Sequence, residues 1–172
     1  MEPETFAWLL TDEGAALLER AADLAGGPEL AVQDELRRMA GPEQVAAALT
    51  QVELRARAVD KFGADAARMW FTPDGLEQAT RQRVAAHRAG RLTAFGTRSL
   101  IDLGCGIGGD LVSSARAGIT CAGVDLDPLR VAVAEANLAA LGLEGAVMVA
   151  DATELDTSPF DVAFADPARR TG

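Results

Sequence analysis

The pattern of apolar and polar positions changes rhythm once along the chain, at Arg98. Ahead of it, segments compatible with helices lie between glycine and proline punctuation. Thr11 is placed to cap a helix running to about Ala25, closed by Gly26 and Gly27. Pro28 opens a second helix that ends at Gly41. Pro42 opens a third, with Val45, Leu49, Val52 and Val59 partly in helical phase, stopping near Gly63. A short helical turn is expected over 64–70. Thr72 then caps a last helix, with Pro73 at its first position and Gly90 at its end. Residues 1–97 therefore read as an all-helical N-terminal domain.

From Arg98 onward short apolar runs alternate with helical ones. Strands are expected at 99–103, 119–125, 146–150 and 161–165. Helices are expected at 108–117, closed by Gly118, and from the Asp127 cap and Pro128 to Leu141, stopped by Gly142. Such alternation predicts an α/β fold with a parallel sheet of about four strands over residues 98–172. The chain stops just past the fourth strand, which would leave an unpaired edge. A truncated domain is the expectation, or an edge covered by another chain.

The stretch SLIDLGCGIGGD, residues 99–110, carries the candidate chemistry. A strand runs into Gly104, Gly106, Gly108 and Gly109, and a helix follows. Missing side chains let backbone approach a ligand, and the helix N-terminus adds a favourable field. The spacing Gly104-x-Gly106-x-x-Gly109 alone is a weak dinucleotide signal. Three acids add to it. Asp102, within the strand ahead of the glycines, can accept from a ligand ammonium group. Asp125, ending the second strand, can take both hydroxyls of a ribose. Asp166, followed by Pro167 after the fourth strand, stands where parallel sheets bind ligands and can accept from a substrate amine.

In order, DLGCGIGG, GVDLDP, VADAT and ADPARR resemble the motif series of class I S-adenosylmethionine-dependent methyltransferases, over roughly Arg98 to Arg170. The resemblance implies a Rossmann-like sheet, the first half of that fold, and S-adenosylmethionine as cofactor. It implies that Asp102 and the Gly104-Cys105-Gly106 turn, with Gly108, hold the methionine portion. Asp125 would hold the ribose, Leu126 would pack on the adenine, and Asp151 with Ala152 would read the adenine edge. Asp166 and Pro167 would face the target atom. Trp70-Phe71-Thr72-Pro73 is similar to the aromatic-Thr-Pro segment of trimethylguanosine synthases and of methyltransferases with a THUMP-like C-terminal domain, which makes Phe71 and Thr72 candidate cofactor contacts. Cap-modifying synthases carry Ser-Pro-Pro-Trp after the fourth strand. Asp166-Pro167-Ala168-Arg169 stands there instead and lacks the stacking aromatic, which argues against a cap guanosine.

Composition narrows this further. The net charge of −10 opposes non-specific nucleic-acid binding by the whole surface. Between Gln78 and Ile101, however, Arg81, Arg83, Arg88, Arg91 and Arg98 stand with His87 and no acid. The strip reads either as a solvated helix face or as a phosphate-contact surface for RNA, with further affinity expected from a C-terminal domain outside this chain. An acidic N-terminus and the lack of a long apolar run point to the cytoplasm and away from a membrane. Cys105 and Cys121 read as reduced and inert, and no metal-ligand cluster stands out. The expected activity is methyl transfer to an exocyclic amine of an RNA base. A non-catalytic cofactor-binding adaptor and a nicotinamide-dependent oxidoreductase are the alternatives.

Overall fold

A computed structural model describes residues 1–166 of the chain. The polypeptide divides into two compact units, Met1–Arg57 and Ala58–Gly172. The division lies well ahead of the change of rhythm at Arg98, so the helices just before the first strand group with the sheet.

The first unit is helical: α1 (Pro3–Leu9), α2 (Asp12–Asp23), α3 (Glu29–Leu36) and most of α4 (Pro42–Phe62). Thr11 caps α2, its hydroxyl oxygen accepting from the Gly14 N–H at 3.2 Å. α1 starts with Pro3 in its first turn and lies ahead of the first helix expected from the sequence, the one capped by Thr11. α3 ends at Leu36 and not at Gly41, followed by turn backbone at Arg37 to Ala40. Phe6, Leu9, Leu17, Ala21, Leu36 and Ala48 are fully buried.

In the second unit a 3₁₀ turn (Gly63–Ala67) leads to α5 (Pro73–Gln78) and α6 (Gln82–Ala94). The single helix expected from Thr72 to Gly90 is thus two. Thr72 does cap α5, its Oγ accepting from the Gly75 N–H at 3.0 Å. The backbone then turns extended at Ala79, with ψ of 136°, and restarts at Gln82. Gly90 lies inside α6; a glycine in a helix interior weakens it without ending it.

The sheet follows: β1 (Ser99–Leu103), α7 (Gly109–Arg116), β2 (Thr120–Asp125), α8 (Pro128–Ala140), β3 (Ala146–Val149), a 3₁₀ turn (Ala152–Glu154) and β4 (Val162–Phe164). The order is β3-β2-β1-β4, all parallel. This is the Rossmann-like arrangement expected of the alternating segment. β1 is central: Leu100 pairs with Cys121 on one side and Val162 on the other. Its middle residues are buried, as a two-sided parallel strand requires. Leu100, Leu111, Val112, Ile119, Cys121, Ala134 and Leu138 form the core between sheet and helices.

Asp161, just ahead of β4, latches that strand to β1. Its Oδ2 accepts from the Arg98 and Ser99 N–H groups at 2.8 and 3.0 Å, and its own N–H donates to Ser99 Oγ at 3.0 Å. Among the described residues no helix is long and apolar enough to cross a membrane.

Candidate functional site

β1 ends at Leu103 and the chain turns at Gly104, whose φ of +96° strongly favours glycine. The Gly104 and Cys105 N–H groups both donate to the Val124 carbonyl, at 2.8 and 2.9 Å, which fastens the turn to β2. Asp125 ties the other side. Its Oδ2 accepts from the Gly106 N–H and its Oδ1 from the Asp127 N–H, each at 3.0 Å. A carboxylate has about four acceptor sites, so Asp125 is held in place with acceptor capacity left over.

Above this turn lies a cleft of about 480 Å³ at the C-terminal ends of β1, β2 and β4. Asp102, Gly104, Cys105, Gly106 and Ile107 line one part of it; Gly75 and Glu77 to Thr80 line another. A Cβ on Gly75 would stand 2.4 Å from Ile107 Cγ2, so glycine is what lets α5 lie so close to the turn. Nothing stands within 4 Å of where a Cβ would be at Gly104 or Gly106, and the space over the cradle stays open.

Five carboxylates line the cleft: Glu77, Asp102, Asp110, Asp125 and Asp166. Arg130 also lines it. Arg88 pairs with Asp110, and its guanidinium lies 4.4 Å from the centre of the Phe164 ring. Asp102 is only 3% exposed. Burial first, then the charges of Asp110, Asp125 and Asp166 acting against Arg88, push its carboxyl up to about 7. Burial also raises Asp110 above the ordinary carboxylate range, against the opposing pull of Arg88 and a hydrogen bond from Thr80. The concentration of acid favours a ligand that carries positive charge.

Burial disfavours the thiolate at both cysteines. Burial, aided by the charges of Asp102 and Asp125, pushes the Cys105 thiol up to about 12, and burial with Asp102 pushes Cys121 to about 11. Both are free thiols. Among the described residues no group of His, Cys, Asp and Glu could hold a metal ion.

Of the residues singled out from the sequence, Asp102, Gly104, Cys105, Gly106, Gly109, Asp125 and Asp166 meet at the cleft. The other described candidate cofactor residues do not line it. Phe71 is fully buried, its ring 5.5 Å from that of Phe62, and Thr72 is spent on capping α5. Gly108 is the N-cap of α7. Leu126 is 69% exposed. Asp151 caps the turn that starts at Ala152, its Oδ1 accepting from the Thr153 N–H and hydroxyl at 2.8 and 2.7 Å. Pro167, Arg169 and Arg170 lie outside the described residues.

Sequence reasoning missed the wall from Glu77 to Thr80, and it missed Asn137. Asn137 is fully buried in α8. Its Nδ2 donates to the Ile107 and Trp70 carbonyls at 2.8 and 3.0 Å, and its Oδ1 accepts from the Trp70 N–H at 2.6 Å. One amide thus joins the aromatic segment before α5 to the glycine-rich turn. The available signal was a polar residue on the apolar face of α8, between Ala134 and Leu138.

Residues 2–58 match a family described as a domain of unknown function, DUF8688, and residues 100–168 match the family described as methyltransferase domain. The chain is 39% identical over 123 residues to Rv3037c of Mycobacterium tuberculosis strain H37Rv, named as an uncharacterized S-adenosylmethionine-dependent methyltransferase. The same figures hold for MT3122 of strain CDC 1551, which carries the same description. The match covers 69% of this chain and 33% of each of those proteins, so the chain spans about one third of the length of the curated relatives it matches. In fold, it resembles a candidate methyltransferase from Porphyromonas gingivalis W83, with a TM-score of 0.67, 21% identity and coverage of 91% of this chain and 41% of that one. A candidate RNA methyltransferase from Pyrococcus horikoshii aligns with a TM-score of 0.50 and 19% identity, over 67% of this chain and 59% of its own.

Proposed function

We propose that the chain forms the cofactor-binding part of a class I S-adenosylmethionine-dependent methyltransferase acting on an exocyclic amine of an RNA base, a reading supported by the methyltransferase-domain match over residues 100–168 and by the named relatives. One observation carries the reading. Asp102 and Asp125 stand at the ends of adjacent strands beside an open glycine cradle, where an amino acid and a ribose would need their acceptors. The residues fit the group in chemistry as well as in space: acid predominates, and the cofactor is a cation at its sulfonium and at its ammonium.

When bound, the cofactor supplies an activated methyl group, so positioning supplies most of the catalysis. Asp102 accepts from the ammonium group. Asp125, already fixed by two backbone N–H groups, accepts from the ribose hydroxyls. Leu126, exposed beside it, packs on the adenine, with Asp151 and Ala152 at the adenine edge. Phe71 and Thr72 act through α5 and not by contact. Asp166, lining the cleft after β4, accepts from the acceptor amine and turns its lone pair toward the methyl. Pro167 shares that task as a motif residue. The amine loses its proton after attack, so no strong base is needed.

Arg81, Arg83, Arg91 and Arg98 are exposed and support an RNA contact along α6 and the approach to β1. Arg88 is held by Asp110 and Phe164, which removes it from that strip. The lack of an aromatic beside Asp166 and Pro167 keeps the trimethylguanosine-synthase likeness to the aromatic-Thr-Pro segment, with the THUMP-like group as the nearer kin.

The test is calorimetric titration of the 172-residue chain with S-adenosylhomocysteine, with NADH as control. Binding of the former alone is expected; binding of NADH alone would overturn the reading in favour of an oxidoreductase. The pH profile adds a check. An ammonium group favours the ionised form of Asp102, so affinity is expected to strengthen as pH rises through about 7 and then to level off.

A further inference from the structure

The chain has one lysine, Lys61, near the end of α4. Its Nζ donates to three carbonyls on one short stretch: Leu76 at 2.7 Å, Glu77 at 2.6 Å and Ala79 at 2.9 Å. An ammonium group has three donors, and all three are used. The acceptors are the last carbonyls of α5 and its C-cap, which a six-residue helix leaves without intrahelical partners. A cation at a helix C-terminus is favoured by the backbone dipoles as well.

The clamped stretch is also a wall of the cleft. Glu77, Gln78, Ala79 and Thr80 all line it, and the Thr80 side chain hydrogen-bonds Asp110 on the far side of the glycine turn. Within the stretch, the Ala79 N–H donates to the Gly75 carbonyl at 3.0 Å. Ala79 has left helical backbone, and α6 does not restart until Gln82. Arg81 adds one long contact, donating to the Asp60 carbonyl at 3.3 Å. At the other end, Gly75 is pressed against Ile107. The wall is therefore fixed against the turn at Gly75 and by Lys61 one to four residues later.

We infer that Lys61 is a positioning residue of the cofactor cleft: by holding the Leu76, Glu77 and Ala79 carbonyls it sets the distance between the Glu77–Thr80 wall and the glycine cradle, and so the affinity for the adenosyl amino-acid ligand. The inference rests on the proposed reading of the cleft. Lys61 does not line the cleft itself and acts through the backbone it holds.

Lys61→Met keeps the apolar stem and removes every donor. Lys61→Gln keeps an uncharged amide head with two N–H groups. The measurements are S-adenosylhomocysteine affinity by calorimetry, thermal midpoint, and backbone amide exchange at residues 78–81 in the 172-residue chain. The expectation is an affinity loss of about tenfold for Lys61→Met, a smaller loss for Lys61→Gln, and faster exchange at 78–81 in both, on the scale of hydrogen bonds to a charged group. A lower thermal midpoint with affinity within about twofold of wild type, well below that midpoint, would mean that Lys61 only caps α5 and would overturn the inference. If Lys61→Met does not fold, the affinity of Lys61→Gln decides in the same way. If the wild-type chain binds no S-adenosylhomocysteine, the reading of the cleft fails on its own; unchanged exchange at 78–81 in the variant would then overturn the clamp as well.

Discussion

The helical unit and the sheet unit bury different kinds of side chain. Within Met1–Arg57 the interior is apolar apart from Gln51. Within Ala58–Asp166 the interior also takes in Thr72, Asp102, Ser113, Ser114 and Asn137. A buried polar group costs free energy unless it is bonded, and a buried carboxylate costs more. Asn137 meets that cost with three hydrogen bonds to backbone, and Thr72 with a helix cap. Asp102 does not meet it in the same way. It sits among like charges with its pKa raised, on the strand that leads into the cradle. The helical unit is built for packing; the sheet unit spends stability at one place, and that place is the cleft.

The largest effect expected from breaking this pattern is at Asn137. Asn137→Ala leaves the Trp70 N–H and the Trp70 and Ile107 carbonyls without their partner, and about 3–5 kcal/mol of stability should be lost in chemical denaturation. Asp102→Asn should act in the opposite direction at neutral pH. A carboxyl raised in the folded state binds its proton more tightly there than in the unfolded chain. Wild-type stability therefore falls as pH rises from about 4 through about 7. The asparagine variant lacks that fall, so its advantage should grow by roughly 2–4 kcal/mol between pH 4 and pH 8, read from denaturation at both. A flat difference would show that the buried carboxyl is not strained.

Asp125→Ala sharpens the contrast between a strained acid and a bonded one. It should weaken S-adenosylhomocysteine binding by roughly 1.5–3 kcal/mol in calorimetry, and unchanged affinity would remove Asp125 from the site. The smallest effect is at Gly90, exposed in α6 with nothing within 4 Å of an added Cβ. Gly90→Ala should stabilise the chain by about 0.5–1 kcal/mol in thermal denaturation and leave ligand affinity unchanged.

The floor of the cleft was legible in the sequence because its parts follow one another closely. Asp102, the glycines and Asp125 sit on adjacent strand ends, and strand alternation alone aligns them. The wall was not legible, because it is assembled by contacts that sequence spacing does not announce. Lys61 reaches residues fifteen to eighteen positions away, and Asn137 reaches Trp70 across sixty-seven. The run from Thr72 to Gly90 was read as one helix because helix signals bracket it. The break at Ala79 coincides with the carbonyls that Lys61 holds, a tertiary contact that the bracketing helix signals do not announce. Thr72 shows the reverse: its capping role was plain from the Pro73 that follows it, and its hydroxyl does cap α5.

The latch between Asp161 and Ser99 joins positions sixty-two residues apart, whereas β2 returns to β1 after a single short helix. Closing a longer loop costs more chain entropy, and long-range strand pairing is slow. The β1–β2 pair is therefore expected to assemble early, with β4 docking late against a strand already in register. An acid that looks like loop decoration would then govern the final step by which the chain reaches its native state, and its loss would be felt as a slower refolding phase before it was felt at the cleft.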